Sequence, residues 1–423
     1  MDEQSENRQV QYRSPVASAA GAHHPPAEDP RPPGDGATLG VEEEFLLVDP
    51  CDGVPTLANA RVLADLAEPV DPAGERRAGA SGAGNADVES AGHTEDAEYK
   101  AELLASMMES ISPVCTSLHQ LRARLISGRR RLADAATRAG VRAVATGTPV
   151  VPGRAPREVS AKSRYREMRE LYGLLVTQQE TCGCHVHVGV ADRETAVAVA
   201  NRIRPWLPTL LALSVNSPFC EGVDTGYASW RTVALSRWPA TDIPPRFSSA
   251  AHYDRVTAML HAGGALVAAA HPYWLVRPSG RFPTVEIRAA DVAATVDEAV
   301  LQAALSRALV RTALADPEDP PVPDEDQILK AALWAAARYG LAGGGVHPRT
   351  GKRVPAMALL EEMLAWIGPA LRDLGDEEET VRLLADLTRT GTGADRQRAL
   401  AAPGLDQAAL QVIDAFDLAK TTP

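Results

Sequence analysis

Charged and histidine side chains interrupt three strand-like segments of this 423-residue sequence. The segments read "GVEEEFLLV" at 40–48, "GCHVHVG" at 183–189 and "PTVEIRAAD" at 283–291. Because alternate side chains of a strand face opposite sides of a sheet, the second segment places His185 and His187 on one face and Cys184 and Val186 on the other. Taken alone, the two histidines fit a metal site, an acid/base pair or a buried core equally well.

The first and third segments follow the same alternation. Glu42 and Glu44 share one face of an otherwise apolar strand, and Glu286 shares a face with Thr284 and Arg288. Carboxylates that lie close together resist ionisation unless a cation lies between them. A solvated edge strand also explains the first segment by itself. If all three strands belong to one sheet, however, their polar faces would line a common surface.

A further acidic pair, Glu102 and Glu109, lies in "YKAELLASMMESISPVC" at 99–115. A spacing of seven suits one face of a helix, whereas a strand needs a bulge or bend to align both side chains. An amphipathic surface helix would explain the pair equally well, without any function.

This set of side chains points towards phosphoryl transfer. Hard cations such as Mg²⁺ or Mn²⁺ prefer oxygen ligands and commonly bind through a few carboxylates together with substrate phosphates. An arginine beside such ions suits a phosphoryl group, because its planar fork matches phosphate oxygens. The sequence therefore favours a nucleotide-dependent reaction.

Other site classes lack their defining patterns. The segment "GGGVHPRTGKR" at 343–353 has Arg353 where a phosphate-binding P-loop needs serine or threonine. No GxGxxG motif opens a helix after a strand, and Ser217 has no GxSxG turn around it. The spacing after the two histidines fits neither a cupin nor the usual frame of a zinc hydrolase.

The order of predicted elements favours an α+β fold with a mostly antiparallel sheet. Strand patterns cover 38–48, 141–148, 184–190 and the pair within 274–291, and helical periodicity covers 114–139, 163–179, 193–216 and 294–315. Strands and helices do not alternate regularly, which argues against a doubly wound sheet or a (β/α)8 barrel. We predict a single catalytic domain over 37–420, of which 325–420 is mainly helical.

Composition restricts the partners. The net charge of −12 disfavours nucleic acid and anionic membranes, and no apolar run is long enough to span a bilayer. Five cysteines suit a reduced, cytoplasmic protein. Residues 1–36 are predicted to be a disordered tail and 71–96 a mobile insertion, because neither carries enough apolar side chains to offset the entropy of ordering. The protein could form a homo-oligomer.

Seven segments, taken in order, resemble the glutamate–cysteine ligase type 2 family of bacterial ATP-dependent carboxylate–amine ligases. They are "TLGVEEEFLLVDP", "AELLASMMESISPVC", "RYREMRELYG", "CGCHVHVGV", "LALSVNSPFCEGVDTGYASWR", "RPSGRFPTVEIRAAD" and "ARYGLAGGGVHPRTGKR". The resemblance implies a curved, mostly antiparallel sheet like that of glutamine synthetase and guanidino kinases, with ATP and Mg²⁺ or Mn²⁺ bound on it. It also implies small amino-acid substrates, with glutamate and cysteine as the default pair.

The resemblance assigns roles to individual residues. The implied metal ligands are Glu42, Glu44, Glu102, Glu109, Glu286 and one or both of His185 and His187. Arg288 would neutralise phosphate and act in catalysis with Glu286, while Thr284 and His187 would also contact the nucleotide. Arg231 and Arg164 would bind the acid substrate.

One position departs from the family, since Pro283 stands where a glycine commonly precedes "TVE", and proline removes a backbone donor. Two other functions remain open for the sequence: a binding or scaffold protein that keeps the fold without turnover, and a metal-dependent amide hydrolase.

Overall fold

A 14-residue strand at the start of the described chain forms the centre of the fold. The computed structural model describes residues 34–67, 96–154, 157–269, 272–315 and 325–421. The strands are β1 (Asp35–Val48), β2 (Glu98–Ala101), β3 (Met107–Ile111), β4 (Arg142–Val144), β5 (Gly183–Val190), β6 (Phe219–Cys220), β7 (Val223–Asp224), β8 (Val276–Pro278), β9 (Thr284–Asp291), β10 (Gly344–Val346) and β11 (Arg353–Pro355).

Helices make up most of the remaining described chain. They are α1 (Asn59–Ala67), α2 (Leu118–Arg138), α3 (Ser163–Tyr172), α4 (Leu174–Thr177), α5 (Arg193–Ile203), the 3-10 helix Arg204–Trp206, α6 (Leu207–Ser214), α7 (Trp230–Leu235), α8 (Ala250–Ala262), α9 (Val296–Ala315), α10 (Asp326–Tyr339), α11 (Ala356–Leu374), α12 (Glu377–Thr390), α13 (Gly393–Leu400), α14 (Leu405–Ala415) and α15 (Leu418–Thr421).

The main sheet has the strand order β2-β3-β1-β5-β9-β8, with β4 pairing to the far end of β1. Every pairing within it is antiparallel. This confirms the predicted α+β class. Since three of the four central strands are the segments singled out above, the topology brings the predicted polar faces side by side.

Helices α2, α5, α6 and α9 cover one face of the sheet and form the core. Helix α9 is Ala- and Leu-rich and buried on nearly all sides, as expected for a central helix. Val41, Val186 and Ile287 point into this core from three neighbouring strands. The alternation of the strands therefore directs the polar side chains to the opposite face.

Several predicted helices are shorter or divided. The predicted 193–216 helix is split by a 3-10 turn where Pro205 and Pro208 cannot donate the required hydrogen bonds. The predicted 163–179 helix breaks at Gly173, which has a φ of 58°. Strand β4 covers only three residues of the predicted 141–148.

The predicted tail, 1–36, and insertion, 71–96, lie almost entirely outside the described residues. The boundaries of the predicted catalytic domain stay a prediction. Within the described ranges, no helix combines the length and hydropathy that crossing a bilayer would require.

Candidate active site

Pairs of polar side chains stand opposite each other across the strands on the open face of the sheet. In register from one edge to the other, the pairs are Glu109 with Glu44, Glu42 with His185, His187 with Glu286, and Glu286 with Arg277. Directly paired residues of an antiparallel sheet have Cβ atoms about 5 Å apart, so such side chains interact. The register itself builds a continuous polar row.

Potential metal ligands overlap along this row. Within the described residues, three groups place one ligand atom of each member within 4.8 Å of the others. They are Glu286, His187 and Glu42; Glu42, His185 and Glu109; and Glu44, Glu102 and Glu109. Glu42 and Glu109 each belong to two groups, so neighbouring cations would share carboxylates, as adjacent divalent ions often do in phosphoryl-transfer sites.

Glu42 lies between the two histidines. Its Oε1 is 3.3 Å from His187 Nε2, and its Oε2 is 3.5 Å from His185 Nδ1. Burial alone would raise the pKa of Glu42, but the contacts with both histidines outweigh it and hold this pKa well below its usual value. Glu42 is therefore ionised.

Both histidines place Nε2 beside a carboxylate of the row, His187 at 3.3 Å from Glu42 and His185 at 3.8 Å from Glu44. His187 Nδ1 is 3.0 Å from Thr284 Oγ1, which orients the ring, as the partners of metal-binding histidines generally do. The Nε2 atoms of His185 and His187 are both buried and make no hydrogen bond. Burial and the nearby Arg288 lower the pKa of His185 to about 3, so its ring is neutral, the form that binds metal.

Glu44 and Glu109 show the cost of clustered carboxylates. Burial and the charge of Glu102 raise the pKa of Glu44 to about 7. Burial and the three other acids also raise the pKa of Glu109 well above its ordinary value. Two hard oxygen ligands that resist ionisation here would be stabilised by a divalent cation. The donor set therefore fits Mg²⁺ or Mn²⁺.

At the other end of the row, Glu286 binds two arginines. Arg277 donates from Nε and Nη2 to its two carboxylate oxygens at 2.7 and 2.9 Å, and Arg288 donates to Oε1. These cations outweigh the effect of burial and keep the pKa of Glu286 well below its usual range. In return, the carboxylates nearby raise the pKa of Arg288 despite its burial. The two arginines and Glu286 together place a fixed positive charge beside the acidic row.

A cavity of about 370 Å³ opens over the row. Glu42, Glu44 and His185 form its floor on the sheet, and Arg231 and Arg288 form part of its wall. A volume of this size accommodates a small organic substrate. Seven cationic residues line it: Lys100, Lys162, Arg164, Arg231, Arg277, Arg281 and Arg288. The cavity thus combines hard metal ligands with cations suited to anionic substrates.

Arg231 is the most deeply buried of these arginines on the cavity wall. Only 3% of the residue is exposed, and its Nε and Nη1 atoms make no hydrogen bond. Arg164 also lines the cavity, from the N-terminal turn of α3. The site residues assigned by the resemblance therefore lie on or beside one surface, although His187, Thr284 and Glu286 do not line the cavity.

Comparisons with known proteins identify the family of the chain. The model of glutamate–cysteine ligase family 2 matches residues 38–411, most of the chain. The chain belongs to this family. Its members are ligases, so the family places the chain in the ligase class.

Curated relatives in the family are similar along nearly their whole length. The Saccharopolyspora erythraea protein named "Putative glutamate--cysteine ligase 2-2" is 46% identical over 385 residues, which span 90% of this chain and 93% of that protein. The Salinispora tropica protein named "Putative glutamate--cysteine ligase 2" is 44% identical over 376 residues, which span 88% of this chain and 92% of that protein.

Two solved structures share the fold. The glutamate–cysteine ligase of Francisella tularensis, crystallised in complex with AMP, aligns with a TM-score of 0.62 and 14% identity over 91% of this chain and 89% of that one. The bifunctional glutathione synthetase of Pasteurella multocida aligns with a TM-score of 0.61 and 15% identity over 91% of this chain and 52% of that one. At such identities the likeness shows the fold alone.

Sequence reasoning missed several residues of this family 2 site. Arg277 lies in "WLVRPS", where alternation with the buried Val276 could have placed it on the polar face. Trp238 and Tyr273 line the cavity from loops and give no periodic signal. The open question about Glu102 and Glu109 is answered by a hairpin: Glu109 lies in β3, and Glu102 directly follows β2.

Proposed function

We propose that this protein is an ATP-dependent carboxylate–amine ligase that joins glutamate to cysteine with Mg²⁺ or Mn²⁺ as cofactor. The observation that carries the proposal is the polar row, in which three overlapping groups of hard ligands lie beside Arg288 and under a cation-lined cavity. Family membership supports the reaction class, and the names of the relatives support the substrate pair. The AMP bound to the Francisella tularensis ligase supports a nucleotide.

The chemistry explains why such a row is needed. A carboxylate resists attack by an amine until one of its oxygens is phosphorylated, which converts it into a leaving group. In this reaction the γ-phosphoryl group passes from ATP to the acid, and the amine then displaces phosphate to give the amide. Divalent cations bound at the row would offset the repulsion between the carboxylate and the triphosphate.

Residues of the row have distinct roles in the proposal. Glu42, Glu44, Glu102, Glu109, His185, His187 and Glu286 hold the cations. Arg288, already charged and fixed by Glu286, neutralises the phosphoryl group as its charge develops. Thr284 orients His187 and is also proposed to contact the nucleotide.

Arg231 is proposed to bind the α-carboxylate of the acid. A buried guanidinium with two nitrogens that make no hydrogen bond gains from a carboxylate, because the anion supplies acceptor oxygens and an opposite charge. Arg164, nearer the cavity mouth, is a second candidate for the same substrate. A cytoplasmic location fits the five free thiols, which a reducing compartment maintains.

An ADP-release assay with glutamate and a panel of amines tests the reaction. ADP formation that requires both acid and amine supports the ligase. Amide cleavage without ATP would instead support a metal-dependent hydrolase, and neither activity would support a non-catalytic binding protein. Varying the acid in the same assay identifies the preferred substrate.

The Glu286→Gln variant tests the site. It removes one metal ligand and the charge that fixes Arg288, so we expect ADP release per folded molecule to be abolished. The circular dichroism spectrum should stay unchanged, although the broken buried pair lowers the free energy of unfolding. Glu362→Gln is the matched control, because Glu362 pairs with His347 and Arg349 on a part of the surface that does not line the cavity. Unchanged turnover in the Glu286 variant would refute the metal assignment.

A further inference from the structure

Arg231 belongs to a buried network whose centre is Asp291, the last residue of β9. Asp291 is fully buried and lies opposite Gly183 in the register of β5 and β9. Its Oδ2 accepts hydrogen bonds from the Asn216 amide at 2.8 Å and from Ser217 Oγ at 2.7 Å. Its Oδ1 accepts one from Ser229 Oγ at 2.8 Å. A carboxylate with three neutral donors is well satisfied even without a direct ion pair.

The two serines connect Asp291 to the backbone around Arg231. Ser217 Oγ, which donates to Asp291, accepts the Arg231 amide at 3.0 Å. Ser229 is the N-cap of α7 and accepts the Thr232 amide at 3.2 Å. The carboxylate therefore fixes both serine hydroxyl groups as acceptors and, through them, the first turn of the helix that carries Arg231.

The carboxylate of Asp291 offsets the buried charge of Arg231 without forming a hydrogen bond with its guanidinium. Asp291 Oδ1 lies 3.9 Å from Arg231 Nη1, beyond hydrogen-bond distance. An isolated guanidinium at this depth would be strongly disfavoured, and a nearby charge of opposite sign reduces that penalty. Glu286 differs, because it bonds Arg277 and Arg288 directly. Arg231 thus lies beside a compensating negative charge while its Nε and Nη1 atoms make no hydrogen bond.

Gly183 completes the arrangement. A Cβ at this position would overlap the Arg231 guanidinium, so only glycine leaves room for it. The Gly183 amide also donates to Glu44 Oε2 at 2.7 Å, so the residue that packs against the guanidinium is itself bonded to the acidic row.

We infer that Asp291 is a positioning residue that, through Ser217 and Ser229, holds Arg231 aimed at the carboxylate of the acid substrate. The identity of that ligand rests on the proposed function. The positioning of Arg231 by Asp291 rests on the geometry alone. Replacing Asp291 by asparagine keeps its volume but removes the charge and reverses one hydrogen bond.

Steady-state kinetics test the inference in the full-length protein. For Asp291→Asn we expect the KM for glutamate to rise about ten- to hundredfold, the usual worth of hydrogen bonds to a charged group, while the KM for ATP stays close to that of the unchanged protein. Ser217→Ala should shift the KM for glutamate in the same direction, and Ser217→Thr should restore it. Asp376→Asn is the matched control: Asp376 is buried beside Arg307 and does not line the cavity.

Hydrogen–deuterium exchange provides a readout that needs no turnover. We expect the peptide spanning α7 to exchange faster in Asp291→Asn but not in Asp376→Asn. An active Asp291 variant with an unchanged KM for glutamate, or with equal rises for glutamate and ATP, would overturn the inference. If the unchanged protein releases no ADP with any acid, the proposed function fails, and the exchange comparison alone decides on Asp291: unchanged exchange across α7 rejects it.

Discussion

Neighbouring glutamates of β1 lie in opposite environments, and the difference separates a structural charge from a functional one. Glu43 faces the helices, where Arg129 donates from Nε and Nη2 to its two oxygens at 3.1 and 2.6 Å. Arg129 is fully buried and also donates to the Ala293 carbonyl at 2.8 Å. Glu42 and Glu44 face the cavity, where Glu42 contacts two histidines and Glu44 accepts the Gly183 amide, without a bidentate arginine like Arg129. On the helix face the fold itself supplies the cation, Arg129. On the cavity face the acidic row is suited to a bound cation instead.

The comparison predicts that removing a carboxylate from the two faces has opposite consequences. On the cavity face, a carboxamide removes a metal ligand and acts mainly on turnover. On the helix face, it leaves an arginine buried with too little compensation. Activity and stability should therefore separate cleanly between adjacent positions of one strand.

The largest effect is expected for Glu42→Gln. Glu42 contributes to two of the three ligand groups, so its loss should reduce ADP release by about a thousandfold, the scale of several kcal/mol of lost charge stabilisation. The midpoint of thermal unfolding should fall, but less than for Glu43→Gln, because the two histidines that stabilise the ionised Glu42 can become neutral whereas Arg129 cannot. Turnover above a tenth of that of the unchanged protein would mean that Glu42 is not a shared ligand.

Glu43→Gln should act on stability instead. Breaking a buried ion pair by removing one partner costs about 3–5 kcal/mol, and urea denaturation measures that loss directly. The residual turnover per folded molecule should stay near that of the unchanged protein, because Glu43 does not reach the cavity. If instead Glu43→Gln unfolds at the urea midpoint of the unchanged protein, the contrast between the two faces of β1 fails.

The sequence predicted these faces correctly, because they depend only on the period of two along each strand. It grouped Glu42 with Glu44, His185 with His187, and Glu286 with Arg288. What it could not provide was the register between strands, which sets His187 opposite Glu286 and Glu44 opposite Glu109. Register depends on packing between segments distant in the chain.

The residues that were missed follow from the same limit. Arg277 can be assigned to the site only once β8 is known to pair with β9. Asp291 can be assigned only once its hydrogen bonds with Ser217 and Ser229 are known. Glu102 and Glu109 suited a helix or a strand by spacing alone, and the hairpin that joins them was decided by pairing with β1. The local sequence pattern determines which face of the sheet a side chain lies on, while tertiary structure determines which side chains lie next to it.

The smallest effect is expected in the pH dependence of stability. Because the pKa of Glu44 is raised to about 7, the folded protein holds this proton more tightly than the unfolded chain does. The contribution of Glu44 to the free energy of unfolding should thus be largest below pH about 4.5 and should fall as the pH rises towards about 7. His185, with its pKa lowered to about 3, contributes the opposite slope below pH about 6.5. The effect of Glu44 is therefore measured as the difference between the unchanged protein and Glu44→Gln, by urea denaturation from pH 5 to 8.

Divalent cations should reverse that difference, which connects the pH dependence to the two faces of β1. Without Mn²⁺, the unchanged protein should lose stability relative to Glu44→Gln as the pH rises. With saturating Mn²⁺ it should gain, because a ligand that binds only the folded state stabilises it by mass action and prefers the ionised carboxylate. Glu43→Gln should keep the full Mn²⁺ effect, since its carboxylate already has Arg129. A Mn²⁺ effect that is the same in Glu44→Gln as in the unchanged protein would show that Glu44 does not bind the ion, and that its raised pKa reflects burial alone.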